Sequence, residues 1–151
     1  IIEVGKVPIE FKAGLFCFRA RINESNVIMS QYASLGFCSL LDELRAVTAE
    51  ISCEQMQLIM STDKPYALID VRETHEVQFG SIPDALHVSK GVIERDLEKL
   101  IPDKNVIVIV FCAVGARSLI SAYMLQKMGY KYVYSLKGGF NEWLRYTNSN
   151  T

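Results

Sequence analysis

The run Val106-Ile107-Val108-Ile109-Val110-Phe111 constrains this chain more than any other feature. It is continuously apolar and mostly β-branched, the pattern of a strand buried on both faces. Within a few residues it gives way to Leu119–Met128, which reads as a helix and ends at Gly129, a natural residue just past a helix C-terminus. A buried strand that feeds a helix through a short loop is the unit of a parallel sheet with helices on its faces. Other segments repeat the alternation. Tyr66–Arg72 reads as a strand with charges arriving at its end, Ala85–Val88 as a short strand, and Tyr132–Ser135 as a fourth. Residues 34–47, Glu54–Met60 capped by Ser52, Thr74–Phe79 capped by Thr74 and stopped by Gly80, Ile93–Leu100, and Phe140–Tyr146 read as helices. The fold class is therefore α/β with a mostly parallel central sheet. In such sheets the functional crevice lies beyond the C-terminal strand ends, where Arg72, His87, Cys112 and Lys137 fall.

Half of the 151 residues are hydrophobic and 22% are charged, enough apolar matter for one packed domain or a domain with an appendage. The net charge of -1 and the pI near 6.2 create no basic field for nucleic acid or an anionic membrane, so neither is an expected partner. No transmembrane or secretory pattern stands out, and a cytoplasmic location is expected. The four cysteines, Cys17, Cys38, Cys53 and Cys112, form no CxxC pair and have no histidine at ligand spacing, so no metal is expected. The simplest reading makes three of them packing or surface thiols and Cys112 the special one.

Residues 1–28 differ from the rest. Val7, Ile9 and Phe11, then Phe16, Phe18, Ala20 and Ile22, alternate with other residues around Ala13-Gly14, suggesting a hairpin. Two strands alone are not stable, so they pack on something or stay loose; dimerisation through this segment is one solution. Met29 is a candidate native start, which would make residues 1–28 an upstream extension or the remnant of a longer polypeptide. The expected organisation is an extension over 1–28, a leader helix region over 29–48, a main domain over 49–147 and a frayed tail over 148–151.

Cys112 opens the segment Cys112-Ala113-Val114-Gly115-Ala116-Arg117-Ser118 between strand and helix. Small residues let the backbone curl so that successive N–H groups aim at one centre, a nest for an anion. A helix N-terminus and a nearby arginine favour a thiolate, the reactive form of cysteine. Ser118 can cap the helix or donate to the sulfur. The alternative is a buried cysteine beside an ordinary loop.

Four segments in order decide between these readings. Asp70-Val71-Arg72-Glu73, Gly80-Ser81-Ile82-Pro83-Asp84-Ala85, the Cys112–Ser118 segment, and Gly129-Tyr130 with Lys137-Gly138-Gly139-Phe140-Asn141-Glu142-Trp143 resemble the signatures of the single-domain rhodanese sulfurtransferases. The resemblance covers about residues 50–146. It implies a rhodanese-like three-layer sandwich, a sheet flanked by helices, and a ping-pong sulfur transfer through a persulfide on Cys112, with no cofactor. The donor would be a small anionic sulfur compound such as thiosulfate. The acceptor would be cyanide, a cellular thiol or a sulfur-accepting protein. Ala113, Val114, Gly115, Ala116, Arg117 and Ser118 would bind the substrate, Arg117 holding either the loop or the donor's sulfonate end. Asp70, Arg72 and Lys137 would support the site, although Arg72 could instead form a structural ion pair with Glu73 or Glu76. The helix ahead of Ile51 is similar to a leader in some bacterial members.

This chain departs from the family at Ser81, usually histidine, and at Asp84, usually glycine; aspartate tolerates a left-handed turn. His87 reads as a locally bonded strand-end residue, His75 as exposed, and Trp143 as packing. Four residues separate Cys112 from Arg117, whereas related cell-cycle phosphatases have five; the shorter loop favours sulfur over phosphate. The remaining alternatives are a persulfide-carrying or regulatory module with little thiosulfate turnover, and a silent interaction domain.

Overall fold

The computed structural model describes residues 34–150. The proposed hairpin over residues 1–28, with Cys17, lies outside the described residues. The chain divides into two units, Ile1–Ala46 and Val47–Thr151. In the first, helix α1 (Leu35–Arg45) starts where the Ser34 hydroxyl accepts the Phe37 N–H at 3.3 Å, and it buries Leu41 and Leu44.

The second unit is built on a sheet of five parallel strands: β1 (Glu50–Ile51), β2 (Tyr66–Asp70), β3 (Leu86–His87), β4 (Ile107–Phe111) and β5 (Tyr132–Leu136). Their spatial order is β1-β5-β4-β2-β3, and all four ladders are parallel. The sheet therefore has one more strand than the hydropathy pattern gives. With two residues, β1 is too short to carry a periodic signal. It is fixed by the Ser135 N–H to Ala49 C=O and Lys137 N–H to Ile51 C=O bonds, 3.0 and 2.9 Å long.

The six described helices of the chain are completed by α2 (Cys53–Met60), α3 (Thr74–Val77), α4 (Ile93–Leu100), α5 (Ala116–Lys127) and α6 (Gly139–Ser149). Alternation along the strands sorts the unit into three layers. Val108 and Val110 face a core that includes Ile93 and Leu97 of α4 and Ala122 and Leu125 of α5. Ile109 and Phe111 face the opposite core with Met56 of α2 and Phe140 and Trp143 of α6. Both faces of β4 are covered, which is why its sequence is apolar throughout.

Several boundaries differ from expectation. Helix α5 begins at Ala116, before the apolar pattern does at Leu119, which shortens the loop after Cys112 to Ala113–Gly115. Helix α3 has Glu73 as its N-cap residue, so Thr74 lies inside the helix and does not cap it. The tail expected to fray from residue 148 remains helical to Ser149. There the Thr147 and Ser149 hydroxyls donate to the Trp143 and Arg145 carbonyls at 3.0 and 2.9 Å, so these polar side chains bond back onto their own helix. Ser52 does cap α2, in a reciprocal box with Gln55. Asp84 adopts a left-handed φ of 64°. Among the described residues, no helix is long and apolar enough to cross a membrane.

Candidate active site

The central strand β4 ends at Phe111 and delivers Cys112, fully buried, to the C-terminal edge of the sheet. The chain then turns sharply through Gly115, whose φ of 101° is open to glycine and costly for other residues, and enters α5. This turn aims the Gly115 N–H at the Cys112 sulfur, 3.1 Å away. Ser118, one turn into α5, directs its hydroxyl at the same sulfur from 3.6 Å. The sulfur thus sits at a helix N-terminus, where unpaired N–H groups and the helix dipole favour negative charge. Val114 is the exposed residue of the loop, while Gly115 and Ala116 are buried.

The loop is held from outside by the turn between β5 and α6. The Phe140 N–H donates to the Cys112 carbonyl at 2.8 Å, and the Asn141 N–H to the Ala113 carbonyl at 3.1 Å. Gly139 makes this approach possible. A Cβ there would lie 2.4 Å from the Cys112 oxygen and 2.8 Å from Ala113 backbone atoms. The Gly138-Gly139 pair is therefore part of the site, although neither residue has a side chain to offer.

Arg117 lies between the two residues that bond to the sulfur. Its guanidinium grips Glu76 of α3 through two hydrogen bonds, 2.7 and 2.8 Å long. These bonds, outweighing partial burial, hold the Glu76 carboxyl down at about 2. The same pair pushes the Arg117 guanidinium above its ordinary range against partial burial, and the nearby Cys112 sulfur adds to the effect. The Arg117 guanidinium thus ties the first turn of α5 to α3.

Asp70 and Arg72 form a separate buried pair at the end of β2. The Arg72 Nη2 donates to Asp70 Oδ2 at 2.7 Å, and its Nε and backbone N–H each reach Oδ1 at 3.0 Å. Neither Glu73 nor Glu76 is the partner of Arg72, contrary to expectation. The chain curls so that Arg72 folds back on Asp70 two residues earlier, and Glu76 is taken by Arg117. Ser81, which stands where the resemblance leads one to expect histidine, donates to Asp70 Oδ2 at 2.7 Å. The Arg72 Nη2 also reaches the Gly80 carbonyl at 2.8 Å. Its guanidinium carbon lies 4.2 Å over the ring of Phe140, the residue whose N–H holds the Cys112 carbonyl. Arg72 thus meets the loop's support and not the sulfur.

The remaining residues are peripheral. Lys137 is exposed at the end of β5, and its side chain makes no hydrogen bond or ion pair among the described residues. His87 is bonded locally, Nε2 lying 2.8 Å from the Arg72 carbonyl oxygen, and His75 is exposed. Burial, with Glu142 and Glu54 nearby, pushes the Cys53 thiol up to about 11, a poor setting for a nucleophile. Among the described residues, no cluster of histidine, cysteine, aspartate or glutamate could hold a metal ion.

Sequence reasoning did not assign Glu76, Ser81 or Phe140 to the site. For Ser81 the signal was its departure from the expected histidine. Glu76 and Phe140 have no local mark, because their partners are distant in the chain.

Comparisons with known proteins agree with this architecture. The family model for the rhodanese-like domain matches residues 52–146. Over 94 residues the chain is 37% identical to the putative sulfurtransferase YtwF of Bacillus subtilis, covering 62% of this chain and 88% of that protein. Over 90 residues it is 36% identical to the thiosulfate sulfurtransferase GlpE of Coxiella burnetii, covering 60% and 80%. The human single-domain sulfurtransferase TSTD1 superposes with a TM-score of 0.59 over 65% of this chain and 96% of that one, at 24% identity, and so shares the fold.

Proposed function

The chain belongs to the rhodanese-like family, and from that premise we propose that it transfers sulfane sulfur from thiosulfate to a thiophilic acceptor through a persulfide on Cys112. The observation that carries this reading is the cradle of the sulfur. The Cys112 Sγ receives the Gly115 N–H at the N-terminus of α5, in a loop with four residues between Cys112 and Arg117. The similarity to GlpE, a thiosulfate sulfurtransferase by name, supports the choice of donor.

The reaction has two displacements. The Cys112 thiolate attacks the outer sulfur of thiosulfate and forms a new S–S bond. The original S–S bond of thiosulfate breaks, and sulfite leaves with its electron pair. The charge then rests on the outer persulfide sulfur, beside the same preorganised donors. An acceptor nucleophile attacks that outer sulfur, the Cys112 S–S bond breaks, and the thiolate is restored. With cyanide the product is thiocyanate.

The test is intact mass after incubation with thiosulfate. The wild-type chain should gain one sulfur atom and Cys112→Ser none. No adduct from thiosulfate or another sulfane donor would overturn the reading. Thiocyanate formation on adding cyanide then distinguishes an enzyme from a sulfur-carrying module, which would load sulfur but turn over poorly.

A further inference from the structure

The Cys112 sulfur is backed by a pair of hydroxyls whose protons can be counted. Ser118 of α5 and Ser135 of β5 are both fully buried, with their oxygens 2.8 Å apart. The Ser118 oxygen has two further neighbours, the Cys112 sulfur at 3.6 Å and the Gly115 carbonyl at 3.2 Å, and both are acceptors for its proton. Among the described residues, the Ser135 hydroxyl has a single hydrogen-bond partner, Ser118. Each hydroxyl carries one proton. If Ser118 donated to Ser135, the Ser135 proton would be buried with no acceptor and the Gly115 carbonyl and the sulfur would both lose a donor, a costly arrangement. The direction of the bond follows: Ser135 donates and Ser118 accepts.

The Ser118 proton is then left to choose between the Gly115 carbonyl and the Cys112 sulfur. A neutral thiol is a weak acceptor, and a thiolate or persulfide anion is a strong one. We propose that Ser135 is a positioning residue for the sulfur chemistry: by donating to Ser118 it holds that oxygen in place, so that the Ser118 proton can turn from the Gly115 carbonyl to the Cys112 sulfur as negative charge develops there. The donation also polarises the Ser118 hydroxyl and strengthens its outgoing bond. This inference rests on the reading that Cys112 is the reacting atom.

Iodoacetamide alkylation of Cys112, followed by mass at a fixed near-neutral pH, tests it without any sulfur donor. Ser135→Ala should slow alkylation about three- to fivefold, as expected for weakening one hydrogen bond to an anion. Because Ser135 acts through Ser118, the same change in a Ser118→Ala background should leave the rate unaltered. An unaltered rate in Ser135→Ala alone, or equal slowing in both backgrounds, would overturn the proposal. If Ser135→Ala does not fold, the near-isosteric pair Ser135→Thr and Ser135→Val makes the comparison. A slower Val variant supports the role of the hydroxyl, and equal rates overturn it. A wild-type chain that took up no sulfur from thiosulfate would count against the sulfurtransferase reading while leaving this measurement readable.

Discussion

Glu76 and Arg117 stand 41 residues apart in sequence and meet through two hydrogen bonds, 2.7 and 2.8 Å long, that tie helix α3 to the first turn of α5. The bridge gives stability a specific pH dependence. The carboxyl of Glu76 is lowered from 4.5 to about 2, so its contribution is present in full above about 4.5 and is lost as the pH falls towards 2. Denaturant titrations across this window should find a shallower loss of stability in Glu76→Gln than in the wild-type chain. Identical slopes would mean that the bridge does not form in solution. Part of the bridge is exposed, so added salt should reduce the difference.

Among the described glycines, Gly139 leaves the least room for a methyl group. Alanine there would place its Cβ 2.4 Å from the Cys112 carbonyl oxygen, at a φ of 59°. We expect Gly139→Ala to cost about 2 kcal/mol or more in denaturant unfolding. It should also slow sulfur uptake by Cys112, because the loop must move to admit the methyl. A stable variant with normal uptake would show that the close approach is not needed.

Breaking the Asp70–Arg72 pair leaves a buried charge without its partner. Arg72→Ala should therefore lose about 3 kcal/mol or more of stability. It also removes the group stacked on Phe140. Replacing Asp70 and Arg72 together with apolar residues should cost less than Arg72→Ala alone. Equilibrium unfolding of the two variants checks the order.

The two buried cysteines of the second unit should differ in reactivity. Cys53, pushed up to about 11, should resist iodoacetamide at neutral pH, while Cys112 should be modified first. Peptide mass mapping over a time course would show the order, and faster labelling of Cys53 would contradict it.

The sequence makes the layers legible because β4 is apolar on both faces and its neighbours alternate with amphipathic helices. Strand β1 escapes such reading, since two residues cannot express a period of two. The Cys112 loop is legible for a different reason: its turn, its glycine and its arginine are contiguous. Glu76, Ser135 and Phe140 contribute only through contacts that the folded sheet creates. Arg72 illustrates the limit, because charge spacing offered Glu73 and Glu76 as partners while the backbone curl selected Asp70. The early start of α5 likewise reflects the glycine turn at residue 115 and not the hydrophobic pattern.

The support given to the Cys112 and Ala113 carbonyls by the Phe140 and Asn141 N–H groups has a consequence for the order of assembly. A ribosome makes the cysteine first and the turn that cradles its loop afterwards. Until the β5–α6 segment has emerged and docked, the thiol belongs to a half-built site without its outer support. The cradle around this sulfur is therefore a late acquisition, complete only when the last turn to be made has closed on the loop made before it.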